Sequence, residues 1–172
     1  MTLITRKPTG KPPWTMLLLA GAEKCGKSYS AAEMSRSDLI GRTIWFEVGE
    51  GAADQYGALP GARYEIAEYD GSFQQLLAGI QEAVTLPIVN GRPNAIVIDS
   101  MTEVWELLCN EQQHAANVRR KAAPGTDATI TMDQWNVAKR RWRRIIDALR
   151  LNPGPVILTA RFEQVTVMAT AG

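Results

Sequence analysis

Residues 16–29 read MLLLAGAEKCGKSY, and no other stretch restricts the possible folds so tightly. An apolar run, Met16 to Ala20, passes directly into Gly21-Ala22-Glu23-Lys24-Cys25-Gly26-Lys27-Ser28. The spacing is G-x-x-x-x-G-K-[ST], a phosphate loop, with the preceding strand that the motif requires. Tyr29 to Met34 then opens a helix. Each part has a physical task. Glycines let the backbone wrap closely round an anion. Successive N–H groups and the positive end of the helix face the phosphates. Lys27 reaches the β- and γ-phosphates, and the Ser28 hydroxyl binds Mg²⁺. The competing reading is a glycine-rich turn in an unrelated α/β domain.

The chain has 172 residues, enough for one domain with a sizeable buried core. At 45% hydrophobic and 22% charged, its composition is that of an ordinary globular protein. No apolar run approaches the ~20 residues of a membrane span. The opening MTLITRKPTGKPPW carries no apolar signal region, so a cytoplasmic protein with no membrane role is expected. Cys25 and Cys109 form no metal or redox spacing. Net charge is only +1 but unevenly placed: nine basic and three acidic residues lie between Arg119 and Arg150, leaving the rest of the chain at −5.

Residues 1–13 read as a flexible arm, and 14–172 as the folded core. Strands are expected at about Trp14 to Ala20, Thr43 to Val48, Arg63 to Ala67, Asn94 to Ser100 and Pro155 to Ala160. The first, apolar almost throughout, is expected to be buried on both faces. Helices are expected over Gly26 to Ser35, Ser72 to Ala83, Met101 to Asn110 and Gln134 to Leu151, with a loop-like stretch from Glu111 to Thr131. On the last helix Trp135, Ala138, Trp142, Ile145, Ile146 and Leu149 share a face and read as core. Strands alternating with helices predict an α/β fold, a mainly parallel sheet of about five strands flanked by helices.

Two carboxylates fit a nucleotide hydrolase. Asp99 ends the apolar strand at the sheet edge where the phosphate loop lies. It is expected to hold Mg²⁺ from a neighbouring strand, through water because Mg²⁺ dehydrates reluctantly. Its alternative role is a helix cap, shared with Ser100. Glu50 follows the second strand at the same edge and is the candidate to polarise the attacking water. Glu47 is expected to point into a neighbouring element. Arg161, just past the last strand, is a candidate to sense the γ-phosphate or to couple the site to a loop, with a surface arginine as the alternative. His114 reads as a surface residue, and Glu103 and Glu106 as ordinary helix charges.

These residues resemble a family. GAEKCGKS after a strand, the Gly-Glu-Gly loop at 49–51, and VIDS before a helix look like the core of RecA-like P-loop ATPases. The style is that of small phage recombination ATPases of the single-strand annealing kind. The resemblance runs from about Trp14 to Met168. It implies ATP and Mg²⁺ as cofactors. Nucleotide contacts would come from Gly21 through Tyr29 (with Ala22, Glu23, Lys24, Cys25, Gly26, Lys27 and Ser28) and from Arg161. Ser28 and Asp99 would serve the metal, and Glu50 would be the catalytic glutamate beside Lys27. It also implies single-stranded DNA, further copies in a ring or filament, and a phage or host single-strand-binding protein as partners. The family often places a glutamine after the last strand; here Thr159-Ala160-Arg161 stands there. The chain also stops where the family usually continues with more strands, which points to a minimal or truncated form.

The basic segment supplies candidate DNA contacts: Arg119, Arg120 and Lys121 in an expected loop, and Arg140 and Arg144 on a helix. Single strands want a positive track and aromatic faces. Trp135 and Trp142, read as core, do not supply the latter. A solvated helix face is the bland alternative, and an arginine acting in a neighbouring copy is a third. Overall the readings are a DNA-stimulated ATPase of recombination, a small-molecule kinase with an arginine-rich lid at 140–144, or a nucleotide-regulated binding module.

Overall fold

The structure, a computed structural model, describes residues 5–8, 10, 14–49 and 51–162. The elements run β1 (Met16–Gly21), α1 (Lys27–Met34), β2 (Thr43–Glu47), α2 (Ala53–Tyr56), β3 (Glu65–Ile66), α3 (Phe73–Ala83), β4 (Ala95–Asp99), α4 (Met101–Arg120), α5 (Met132–Leu149) and β5 (Val156–Arg161). The five strands form one all-parallel sheet in the order β1-β5-β4-β2-β3.

Side-chain alternation along the strands divides the core into two layers. Ile44, Phe46, Ile96, Ile98, Val156 and Leu158 face α3, α4 and α5. Trp45, Val97 and Ile157 face α1 and α2, where Ala31, Ala32 and Ala53 let the helices sit close. The strands β2, β4 and β5 are therefore covered on both sides, as strands inside a parallel sheet require. Burial of each large side chain in these layers contributes roughly 1.5–3 kcal/mol.

Four expectations are corrected. β1 is not buried on both faces. It pairs with β5 alone and ends the strand order of the described residues, so Leu18 is 56% exposed and Met16 and Leu17 stand partly in solvent. The helix after β4 does not stop at Asn110 but continues to Arg120, twice the expected length. Its buried positions, Val104, Leu108, Gln112 and Ala116, keep a four-residue spacing that the polar Gln112 hides from a hydrophobicity pattern. Arg119 and Arg120 are consequently helical, and Lys121 is the left-handed C-cap rather than part of a loop. Finally, a short helix, α2, occupies what reads as loop after residue 51. The other boundaries agree to within a few residues.

Of the arm at 1–13, residues 5–8 and 10 are described, and they carry no helix or strand. Among the described residues no helix is long and apolar enough to cross a membrane.

Candidate active site

The loop between β1 and α1 opens into a cleft of about 480 Å³ at the C-terminal edge of the sheet. Glu23, Lys24, Gly26, Lys27 and Ser28 line it from the loop, Gly49, Ala52, Gln55 and Tyr56 from the β2–α2 side, and Glu103 and Arg161 from α4 and β5. The helix starts explain the chemistry. Ser72 caps α3 by accepting from Gln75 N, and Ser100 caps α4 by accepting from Glu103 N. No side chain caps α1; its N-cap is Gly26, with φ 89°. A residue other than glycine is strained at that φ. The first-turn N–H groups of α1 thus lack a side-chain acceptor, and they carry the positive end of the helix dipole.

Lys27 lies along the loop's inner side. Its ammonium donates to Ala22 O at 2.8 Å and to Gly21 O at 3.2 Å, and lies 3.8 Å from Cys25 Sγ. Cys25 Sγ also fills the space a Cβ on Gly21 would need, 2.6 Å away.

Asp99 ends β4 and is buried; its Oδ1 accepts the hydroxyl hydrogen of Thr159, which is itself completely buried on β5. Asp99 and Thr159 share strand parity with Val97 and Ile157, so both side chains project on the α1 side of the sheet. The register places Glu47 beside Asp99, and Glu47 Oε1 accepts from Ala53 N at 2.7 Å, fixing the start of α2. Glu47 thus points into a neighbouring element, as the sequence suggests. Ser100, not Asp99, is the helix cap. One expectation changes. The strand beside β1 is β5, not β4, so Asp99 approaches the loop across an intervening strand, about 10 Å at the usual strand spacing. A carboxylate at that remove suits a hydrated ion better than a direct ligand. Together, a hydroxyl at Ser28 and a carboxylate at Asp99 are hard oxygen donors of the kind Mg²⁺ takes, so the residues present fit the metal.

Arg161 is the last residue of β5 rather than a residue beyond it. Its backbone N donates to Thr102 Oγ1 at 2.9 Å. Its guanidinium bonds Glu23 on the phosphate loop at 3.2 Å and pairs with Glu103 on α4. It therefore ties the loop to the first turn of α4 across the cleft mouth. Glu103, read from sequence as an ordinary helix charge, is a wall of the cleft; a Cβ on Gly49 would come within 2.8 Å of its Oε2. The missed signal is position: Glu103 lies four residues past Asp99, on the first turn that faces the ligand-binding edge. Glu50 lies outside the described residues, flanked by Gly49 and Gly51, both at positive φ. Tyr29 is half-exposed, with its ring edge-on to Tyr56 at 6.4 Å.

Of the basic candidates, Arg140 and Arg144 stand exposed on α5, and Arg119, Arg120 and Lys121 are exposed at the far end of α4. His114 is exposed on α4.

An all-parallel sheet with an uncapped glycine-lysine-serine turn after its first strand defines a P-loop nucleotide-binding domain. A family profile described as an AAA domain matches residues 14–171. The chain belongs to that family and is an AAA-type P-loop ATPase domain. No curated protein matches it.

Proposed function

We propose that this chain binds and hydrolyses ATP with Mg²⁺, and that hydrolysis is coupled to single-stranded DNA in recombination or annealing. The observation that carries the nucleotide half is the uncapped first turn of α1, opening with Lys27 and Ser28 into the 480 Å³ cleft. On this reading the loop N–H groups and Lys27 hold the phosphates. Lys27 exchanges the carbonyls of Gly21 and Ala22 for phosphate oxygens. Ser28 and, through water, Asp99 would hold Mg²⁺, which would supply positive charge to offset that of the phosphates. Glu50 takes a proton from the water that attacks the γ-phosphorus, and ADP leaves with the bridging oxygen. Arg161, already bound to Glu23 and Glu103, is placed to respond when a γ-phosphate arrives.

The DNA half rests on the basic run from Arg119 to Arg150 and on the resemblance to recombination ATPases. Assembly into a ring or filament, contact with a phage or host single-strand-binding protein, and action in a bacterial cytoplasm belong to the same proposal. The kinase reading needs a mobile arginine lid at 140–144. That helix buries Ala138, Ile145, Ala148 and Leu149 against α3 and α4, which weighs against such a lid.

The test is ATP turnover with and without single-stranded DNA, at low and moderate salt. DNA stimulation that fades with salt is expected, because phosphate contacts release counterions. Phosphate transfer to a nucleoside with no DNA effect contradicts the proposal.

A further inference from the structure

Beyond the cleft, the face formed by α4 and α5 carries three tryptophans, Trp105, Trp135 and Trp142, of which sequence periodicity assigns the last two to the core. None of them is fully buried. Trp105 stacks on Trp135 with ring planes 20° apart and centroids 6.2 Å apart, and meets Trp142 edge-on at 5.8 Å. Trp105, Trp142 and Ile146 are shared by two adjoining hollows of about 560 and 640 Å³. One hollow is flanked by Lys139 and Arg143 on α5 and by its C-cap Arg150; the other reaches Arg161, which also walls the nucleotide cleft.

Charge and aromaticity are thus combined on this face. Lys139 and Arg143, one helical turn apart, make no ion pair with any described residue. Against these cations stand Glu106 and Asp147, and Asp147 is already paired with Arg150. Arg140 and Arg144 are displaced by one residue round the helix and do not line the groove. A base stacked on an aromatic ring, with its backbone beside lysine and arginine, is the arrangement by which single strands are held without sequence preference. Trp105, already stacked on Trp135, lowers the ordering cost of such contacts.

We infer that the groove between α4 and α5, floored by Trp105 and Trp142 and flanked by Lys139 and Arg143, is the track for a single strand of nucleic acid. This inference rests on the DNA-linked ATPase reading and goes further by choosing the tryptophan face of α5 over the Arg140–Arg144 face. Arg161, reaching both the groove and the cleft, supplies a short physical route between the two ligands.

The experiment uses the full chain and an oligothymidylate, read by anisotropy of a labelled strand and by quenching of tryptophan fluorescence across a salt series. The double variant Lys139→Ala/Arg143→Ala is expected to weaken binding and flatten the log–log salt slope by about 1.4, two phosphate contacts at ~0.7 each for single strands. Arg140→Ala/Arg144→Ala should leave the slope near that of the unaltered chain. Trp142→Ala should weaken binding by ~5- to 100-fold and abolish most quenching. Because this variant removes a half-buried ring, an abasic strand of equal length gives the same information on the unaltered chain: binding without quenching. Loss through Arg140 and Arg144 instead, or equal loss through both pairs, overturns the groove while leaving the DNA-linked reading intact. A groove variant that changes the sedimentation of the protein alone but not strand binding assigns the face to a second copy and also overturns it. Absence of any strand binding at low salt, with ATP turnover present, overturns the DNA reading itself.

Discussion

Thr159 on β5 donates its hydroxyl hydrogen to Asp99 on β4, and both side chains are buried in the sheet on the face that carries the phosphate-loop helix. A threonine following the apolar run Val156–Leu158 thus has a partner one strand away. It holds the carboxyl group at the level where the sheet edge meets the loop. Replacing Thr159 with valine keeps the shape and removes the donor. We expect a loss of about 1–3 kcal/mol in unfolding free energy, the cost of leaving a buried acceptor without its partner. A shifted denaturant midpoint with unchanged slope would show it.

Arg161 binds Glu23 and Glu103 at once, from opposite walls of the cleft. Both pairs are partly solvated, so their contribution to folding should be small. Their effect on ligand choice should be larger. Arg161→Ala is expected to lower the preference for ATP over ADP by ~10-fold or more, the scale of one charge-assisted hydrogen bond, as measured by competitive titration. An unchanged ratio would leave Arg161 as a structural tie only.

The two cysteines should differ in reactivity. Cys25 is exposed in the loop, with Sγ 3.8 Å from the Lys27 ammonium. Cys109 is half-buried on α4, and burial, with Glu106 nearby, pushes its thiol pKa up. At neutral pH the thiolate fraction of Cys109 is therefore reduced, and labelling there should quicken only as pH rises. Maleimide labelling followed by peptide mass mapping should modify Cys25 first, and Mg-ATP should protect it. Equal labelling of both, or no protection, would speak against a nucleotide in this loop.

Glu50→Gln keeps the size of the side chain and removes its basicity. Nucleotide binding should persist while turnover falls by ~10²- to 10⁴-fold, the range supplied by a positioned general base. Glu103→Gln is the matched control, since Glu103 also walls the cleft but is engaged by Arg161. If Glu103→Gln loses turnover and Glu50→Gln does not, the roles are exchanged.

Much of the fold was legible because its signals are local. The apolar runs 95–98 and 156–158 mark central strands, and Ser72 and Ser100 mark helix starts that the structure retains. The phosphate loop was legible for the same reason: all its parts are adjacent in sequence. What escaped depends on neighbours far along the chain. Apolar β1 reads as buried on both faces, yet among the described residues it pairs with β5 alone. Trp135 and Trp142 lie on the apolar face of α5, but the surface they meet is the outer part of α4, so they stay half-exposed. Glu103, Thr159 and the cross-cleft tie of Arg161 join residues 58–138 positions apart, beyond the reach of any spacing rule. Glu50 was singled out by its place after β2, and it lies outside the described residues.

The central claim is that a polyphosphate occupies the β1–α1 loop, with its Mg²⁺ tethered to Asp99. Steady-state ATP turnover in Mg²⁺, compared for the unaltered chain, Lys27→Ala and Asp99→Asn, tests it most directly, with circular dichroism confirming that each variant folds. The account predicts that both folded variants lose turnover, and that Lys27→Ala also loses nucleotide affinity by ~100-fold, the scale of two charge-assisted hydrogen bonds. Turnover at the unaltered rate in either folded variant would contradict it.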